Sequence, residues 1–423
     1  MRISQVLPLC WALFATLATY ATSADKNWPG FRGPGGLGVS TERELPVEWS
    51  GTENVAWKTD LPGSGGSSPV VWNDRIFVTC YSGYGLDESD AGDPADLKRH
   101  LVCLNRADGR IVWDRAVDGA AAIPFQGFQA RHGYASSTPA TDGTLVYVFF
   151  EKEGVFAFDF DGKQIWQANV GSRTHNWGSG TSPVLFQNLV IVNASVEDRS
   201  LVALDKKSGK EVWRAPGMQN SWNTPLVVHT ADGRAELAVS VHGSLLGFDP
   251  ASGKKLWQCP GVQDYVCPSV VASGDIVYCI GGRRATAIAV KVGGSGDVEP
   301  LWTQTAGSNV SSPVIDRDYL YWVSDRGIAV CLDRITGDII YQQRLQGRGI
   351  EAYASAVAAD GKIYNVTRNS GTFVLAAQPK FEQLANNLLD PDTSICNATP
   401  AVSNGQLLLR SNQALYCIGR SGR

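Results

Sequence analysis

The sequence predicts an all-β chain folded as an eight-bladed β-propeller of four-stranded antiparallel blades, with the last blade closed by an N-terminal strand. Three observations lead there: a recurring anchor, four strand-like segments in each repeat, and a final repeat that is one strand short. The anchor is a small residue plus proline, with prolines at Pro69, Pro139, Pro183, Pro225, Pro313 and Pro400, and with Ser269 and Ala356 in the same place in two repeats. Successive spacings are 70, 44, 42, 44, 44, 43 and 44 residues, and the long first interval carries two insertions. Strand-rich repeats of this period build propellers or solenoids.

Each repeat reads as four short strands. In the third they fall at 182–186, 189–194, 201–205 and 210–215, rich in Val, Leu and Ile and bounded by turn residues. The turn before the fourth strand recurs as RADGR, DFDGK, DKKSGK, DPASGK and DRITGD, beginning at Arg106, Asp159, Asp205, Asp249 and Asp333. Asp bonds forward to backbone N–H groups, and Gly takes a positive φ. This is turn chemistry rather than a phosphate cradle. An aromatic residue follows at Trp113, Trp166, Trp213, Trp257, Trp302 and Tyr341. With Trp57, these seven are assigned to blade docking: a large flat ring fills the wedge between radial sheets, and burying it is worth about 1.5–3 kcal/mol.

The last repeat starts at Pro400, supplies three strands and ends. The missing strand is found at 53–61, around Trp57. Closing the ring head to tail leaves only short, protected edges. The expected organisation is a signal peptide at 1–24, an N-terminal extension at 25–52 and one propeller at 53–423, in which 53–61 completes the blade formed by 398–420.

Composition agrees with a turn-rich β protein: Gly 45, Pro 20, Trp 13 and only 18% charged residues. Arg2, an apolar run at 6–20 and small residues Ala21, Ser23 and Ala24 have the form of a secretory signal. An exported protein, periplasmic or secreted, is therefore expected. Cys10 follows Leu9 rather than a small residue, so a lipid anchor is not expected, and no other window is long and apolar enough for a transmembrane span. The net charge of −4 becomes −5 without the leader, which contains Arg2 and no acid. No basic stripe is present to attract nucleic acid.

Eight cysteines lie outside the leader. Cys103, Cys331 and Cys417 share a register with Ala157, Ala203 and Gly247, a place for a small core residue. Disulfides between Cys259 and Cys267, or Cys80 and Cys103, remain open. The five histidines have no metal-ligand spacing.

In a propeller, the segments joining one blade's fourth strand to the next blade's first strand rim the central funnel. Here they carry Arg131, His132, Tyr134, His175, Asn176, Trp177, Trp222, Asp264, Tyr265, Arg348, Glu351 and Tyr353. Such residues converge either as a ligand or peptide pocket or as a polar plug, and both readings stay open. His132 lacks an evident nucleophile, and no catalytic residue is assigned. A long acidic excursion at 81–100 has the length of a lid or docking loop. Its acids lack the order of an EF-hand calcium loop.

The units LVALDKKSGKEVW at 201–213 and LLGFDPASGKKLW at 245–257 resemble the quinoprotein-type propeller repeat. That repeat occurs in pyrroloquinoline-quinone (PQQ) alcohol dehydrogenases and in BamB-like outer-membrane assembly factors. The opening NWPGFRGPGGLGVS at 27–40 is similar to the start of exported bacterial PQQ-like proteins, and the resemblance spans 27–420. It implies a periplasmic scaffold that binds a protein, peptide or small ligand in the cell envelope. The alternative it carries is a PQQ-dependent oxidoreductase or another funnel-sited enzyme. The PQQ enzymes clamp the quinone between a Trp and an adjacent Cys-Cys disulfide, with calcium held by Glu, Asn and Asp. This chain has no adjacent cysteines and no matching triad, so PQQ with calcium is disfavoured and no cofactor is expected.

Overall fold

Apolar side chains of consecutive sheets face one another all the way round the chain, and this pairing generates the ring. The computed structural model describes residues 26–119 and 124–420; the signal-peptide expectation lies outside the described residues. Eight four-stranded antiparallel sheets form a propeller. Blade one comprises Val70–Trp72, Arg75–Ser82, Lys98–Asn105 and Ile111–Asp118, from the axis outward. Blade eight comprises Ala401–Ser403, Gln406–Arg410, Ala414–Ile418 and, from the other end of the chain, Val55–Asp60. The middle strands pack on both faces, so their residues are continuously buried, as in Leu189–Ala194. Outer strands are more open and can alternate, as in Trp302–Thr305.

The Ser/Thr-Pro anchor has a specific geometric role. The N–H of Ser68 donates to Thr138 Oγ1, that of Thr138 to Ser182 Oγ, and so on through Thr224, Ser269, Ser312, Ser355 and Thr399, at 2.9–3.1 Å. Seven such links run from blade to blade around the axis. The following proline stands at the start of the innermost strand, where a missing N–H costs no ladder bond. Ser269 thus occupies the hydroxyl position and Val270 the proline position, one residue later than the sequence alignment placed the anchor.

The docking rings follow a second rule. The indole N–H groups of Trp57, Trp113, Trp166, Trp213 and Trp302 donate to carbonyls of Arg106, Phe160, Lys206, Pro250 and Arg334, in the neighbouring blade's turn. The glycine of that turn lies against the ring: a Cβ on Gly109, Gly162, Gly209, Gly253 or Gly337 would come closer than 3.0 Å. Under the rings sit the small residues, with Cys417, Cys103, Ala157 and Ala203 opposite Trp57, Trp113, Trp166 and Trp213. Tyr341 meets Phe381 of the next blade edge-on at 5.7 Å. Trp257 differs. Its N–H goes to the buried Glu236 carboxylate of its own blade, which also accepts from Gly293 of blade five. Blade five lacks the Asp-Gly turn and instead lays Gly296–Asp297 along blade four as a parallel edge strand. Among the described residues all eight cysteines are free thiols.

The N-terminal extension is not peripheral. Trp28 bridges to Val71 of blade one, Pro29 accepts from Thr141 of blade two, and Val39–Ser40 pairs in parallel with Ala358–Ala359 of blade seven. Residues 28–40 therefore cross the axial channel just below the hydroxyl ring. The chain leaves along the opposite face, where Glu42 accepts from Asn404 and Gly405, and Trp49 N–H donates to Asn387.

Candidate functional site

Above the ring, the connectors between blades open into an axial cavity of about 420 Å³, a size that suits a small ligand or a peptide side chain. Phe31, from the crossing segment, closes it from below. Arg131, His132, Trp177, Trp222, Tyr265, Glu351 and Tyr353 line it. Tyr134 does not: it is 2% exposed and packs with Tyr81, Tyr84 and Leu97 beneath the 81–100 excursion. That excursion is thereby fastened to the connector, with its acids Asp87, Glu88, Asp90 and Asp93 in solvent. His175 and Asp264 lie on a shallower groove of about 380 Å³, separated from the cavity by Trp177, Trp222 and Tyr265. Asn176 and Arg348 are exposed and line neither.

Four further lining residues lie where no repeat signal marks them: Phe31, Phe128 on the short helix Gly127–His132, Arg283 and Asp325; a fifth, Asn397, stands on the last connector, three residues ahead of Pro400. Arg283 and Asp325 sit on turns between second and third strands, which vary from blade to blade.

The wall is aromatic. Trp177 meets Tyr265 at 4.5 Å, nearly perpendicular, with Phe128 at 4.9 Å and Trp222 at 5.0 Å. Trp222 is locked by its N–H to Gly178 O. Opposite, Glu351 accepts from Arg131 at 2.9 Å and meets Arg368 at 3.3 Å, while Tyr353 bonds Arg131 and lies under the Arg368 guanidinium. Arg368 and Asn397 also donate to Arg131 O. Asp325 accepts from Asn309, and Arg283 lies over Tyr265.

His132 Nε2 faces Trp177 O at 2.7 Å, so that nitrogen carries the proton, and Nδ1 accepts from Ser136 Oγ at 2.7 Å. Burial lowers its pKa and keeps the ring neutral. Another row, Ser82 Oγ to His100 to Asp114, crosses three strands of blade one, and none of its members lines the cavity.

Behind Ser179, Glu197 is 1% exposed, and burial pushes its carboxyl up to about 8. A carboxyl raised on folding contributes stability that is complete below its unfolded pKa, near 4.5, and is lost as pH rises through about 8. The urea midpoint of the wild type should therefore fall between pH 5 and 8 relative to Glu197→Gln; parallel profiles would refute the assignment.

The resemblance to the quinoprotein-type repeat implies a quinone cofactor. Among the described residues no group of three His, Cys, Asp or Glu is placed to hold a metal ion. Both lining carboxylates already accept bonds from protein donors, and Cys267 stands in the wall without a second cysteine beside it, its thiol pushed up to about 12 by burial. These residues do not fit a calcium–PQQ pair.

A family profile described as the outer membrane protein assembly factor BamB matches residues 30–173 and 97–343. The chain belongs to this family. BamB-like relatives include, among solved structures, BamB from Moraxella catarrhalis, at 14% identity and TM-score 0.60 over 86% of this chain and 98% of that one. Quinohemoprotein alcohol dehydrogenase from Comamonas testosteroni matches at 11% identity and TM-score 0.64, over 95% and 82%. The computationally designed Ika8 protein matches at 12% and 0.62, over 86% and 99%. At these identities the structural likenesses establish the fold. No curated protein matches in sequence. Among the described residues no helix is long and apolar enough to cross a membrane.

Proposed function

We propose that this BamB-like propeller is a non-catalytic binding protein of the bacterial cell envelope, exported by its apolar leader, which captures a segment of a partner protein or a small ligand in its funnel. The observation that carries this reading is the blind, aromatic-walled cavity. Its charged groups are spent on one another, as in Arg131–Glu351–Arg368, rather than set as an acid–base pair. The outer groove beside Trp177 continues the same wall, so a peptide can lie along the groove and place one side chain in the cavity.

The test is affinity capture from envelope extract with the wild type and with Trp177→Ala/Tyr353→Ala. The double variant is expected to lose the captured partner while keeping its melting midpoint within a few degrees. Retained capture would move the binding surface elsewhere.

One observation favours a second reading, a funnel-sited acyl-transfer enzyme: the Ser136–His132–Trp177 carbonyl row, in which a lining hydroxyl donates to a neutral imidazole. A fluorophosphonate probe would label Ser136 in that case, and absence of labelling leaves the binding reading.

A further inference from the structure

The floor of the cavity has a chemistry of its own. Thr224, Ser269, Ser312, Ser355 and Thr399 all line it. Each hydroxyl accepts an N–H from the preceding blade at 2.9–3.1 Å. A hydroxyl that accepts one bond still has its own proton to donate, and accepting the first polarises it for the second. These five donors, from five successive blades, stand around the base of one cavity. Thr138 and Ser182 belong to the same ring and do not line the cavity.

A second observation is independent of the ring. Arg32, next in the chain to the floor residue Phe31, is 0% exposed. Its guanidinium donates only to the carbonyls of Leu37 and Pro313, and its Nε and Nη1 have no partner. A buried cation without a carboxylate is costly, and it raises the potential of the floor above it. The lining adds Arg131 and Arg283, with Arg368 beside them, against Asp325 and Glu351. Asp264 on the outer groove offsets Arg283 in part, as it accepts that residue's N–H. The balance at the cavity is positive in a chain whose net charge is −4.

We infer that the hydroxyl ring over Arg32 binds the carboxylate of a ligand whose aromatic or branched apolar remainder packs against Trp177, Trp222 and Tyr353. This rests on the binding reading above and specifies its ligand class. The carboxylate belongs either to a free aromatic acid or to the C-terminus of a partner chain, and the two share the same chemistry at the floor.

Calorimetry on the full-length mature protein tests it with four probes: N-acetylphenylalanine, its amide, and a hexapeptide ending in Phe with a free or an amidated C-terminus. The acids should bind at least about tenfold more tightly than their amides, a difference of about 1.4 kcal/mol. A tighter free-terminus peptide identifies a chain end as the source; equal affinity for the small acid identifies a free acid. Ser312→Ala should weaken acid binding about fivefold or more, whereas Ser182→Ala, which removes an equivalent ring hydroxyl away from the cavity, should leave it unchanged. Melting curves of the two variants control for folding. Equal binding of acid and amide would overturn the carboxylate inference and leave the pocket standing. No binding by any probe would overturn the inference while the capture experiment judges the pocket separately.

Discussion

A chain that begins at Pro62 will not fold as a cooperative monomer. Such a truncation strips Val55–Asp60 from blade eight and uncovers Ala414–Ile418, a strand in which every residue is buried. It also removes the Leu61 N–H bond to Gln413 O and the Trp57 ring from the face of Gly109. An open apolar strand edge pairs with other chains, so aggregates on size exclusion and loss of a sharp thermal transition are the expected result. Trp57→Ala separates ring docking from strand pairing. Fully buried Trp-to-Ala changes cost about 3–5 kcal/mol; Trp57 is partly exposed, so its loss should fall at or below the low end, with folding retained. A truncated chain that melts like the full one would mean that the ring is closed by something else.

The second large effect lies at the blade-docking contact. Trp213 is 8% exposed, its N–H is held by Pro250 O, and Gly253 lies on its ring with φ +71°. Trp213→Ala should cost about 3–5 kcal/mol. Gly253→Val should be comparable, because it combines a strained backbone with a side chain driven into the indole. Gly274 gives the control. It has φ +59° with nothing within 4 Å of an added Cβ, so Gly274→Ala should cost only the left-handed penalty of about 1–2 kcal/mol. Urea midpoints of the three variants measure the contrast. Equal effects at Gly253 and Gly274 would show that backbone conformation alone, rather than ring contact, explains the recurring turn.

The propeller was legible because its physics repeats. Seven blades present a hydroxyl to the preceding blade's N–H, five present a Gly to the neighbour's ring, and a small residue such as Cys103 lies beneath the ring; these features recur at fixed spacing. The same logic failed where one blade solved the problem differently: Trp257 has the expected position, yet its N–H turns to Glu236 because blade five has no Asp-Gly turn to receive it. The path of 28–40 was illegible for another reason. Its bonds to Val71, Thr141 and Ala358 are made by backbone atoms, which leave no side-chain pattern. Hence Phe31 was missed, although it determines that the funnel is blind. Of the funnel residues, those two to eight positions ahead of an anchor, such as Trp222 and His132, were found because the anchor locates them. Arg283 and Asp325 stand on turns that nothing periodic marks. Tyr134 carried the right sequence position and the wrong environment, since the 81–100 excursion folds over it.

The N-terminal segment forms part of the channel and closes the pocket from below. Native-state hydrogen exchange on peptides spanning 27–40 tests this most directly. The amides of Trp28 and Gly38 donate to Val71 O and Arg32 O inside the ring, so they should exchange as slowly as the middle strands of blades one and seven, opening only when those blades open. Exchange within seconds, at the rate of an unstructured tail, would contradict the account.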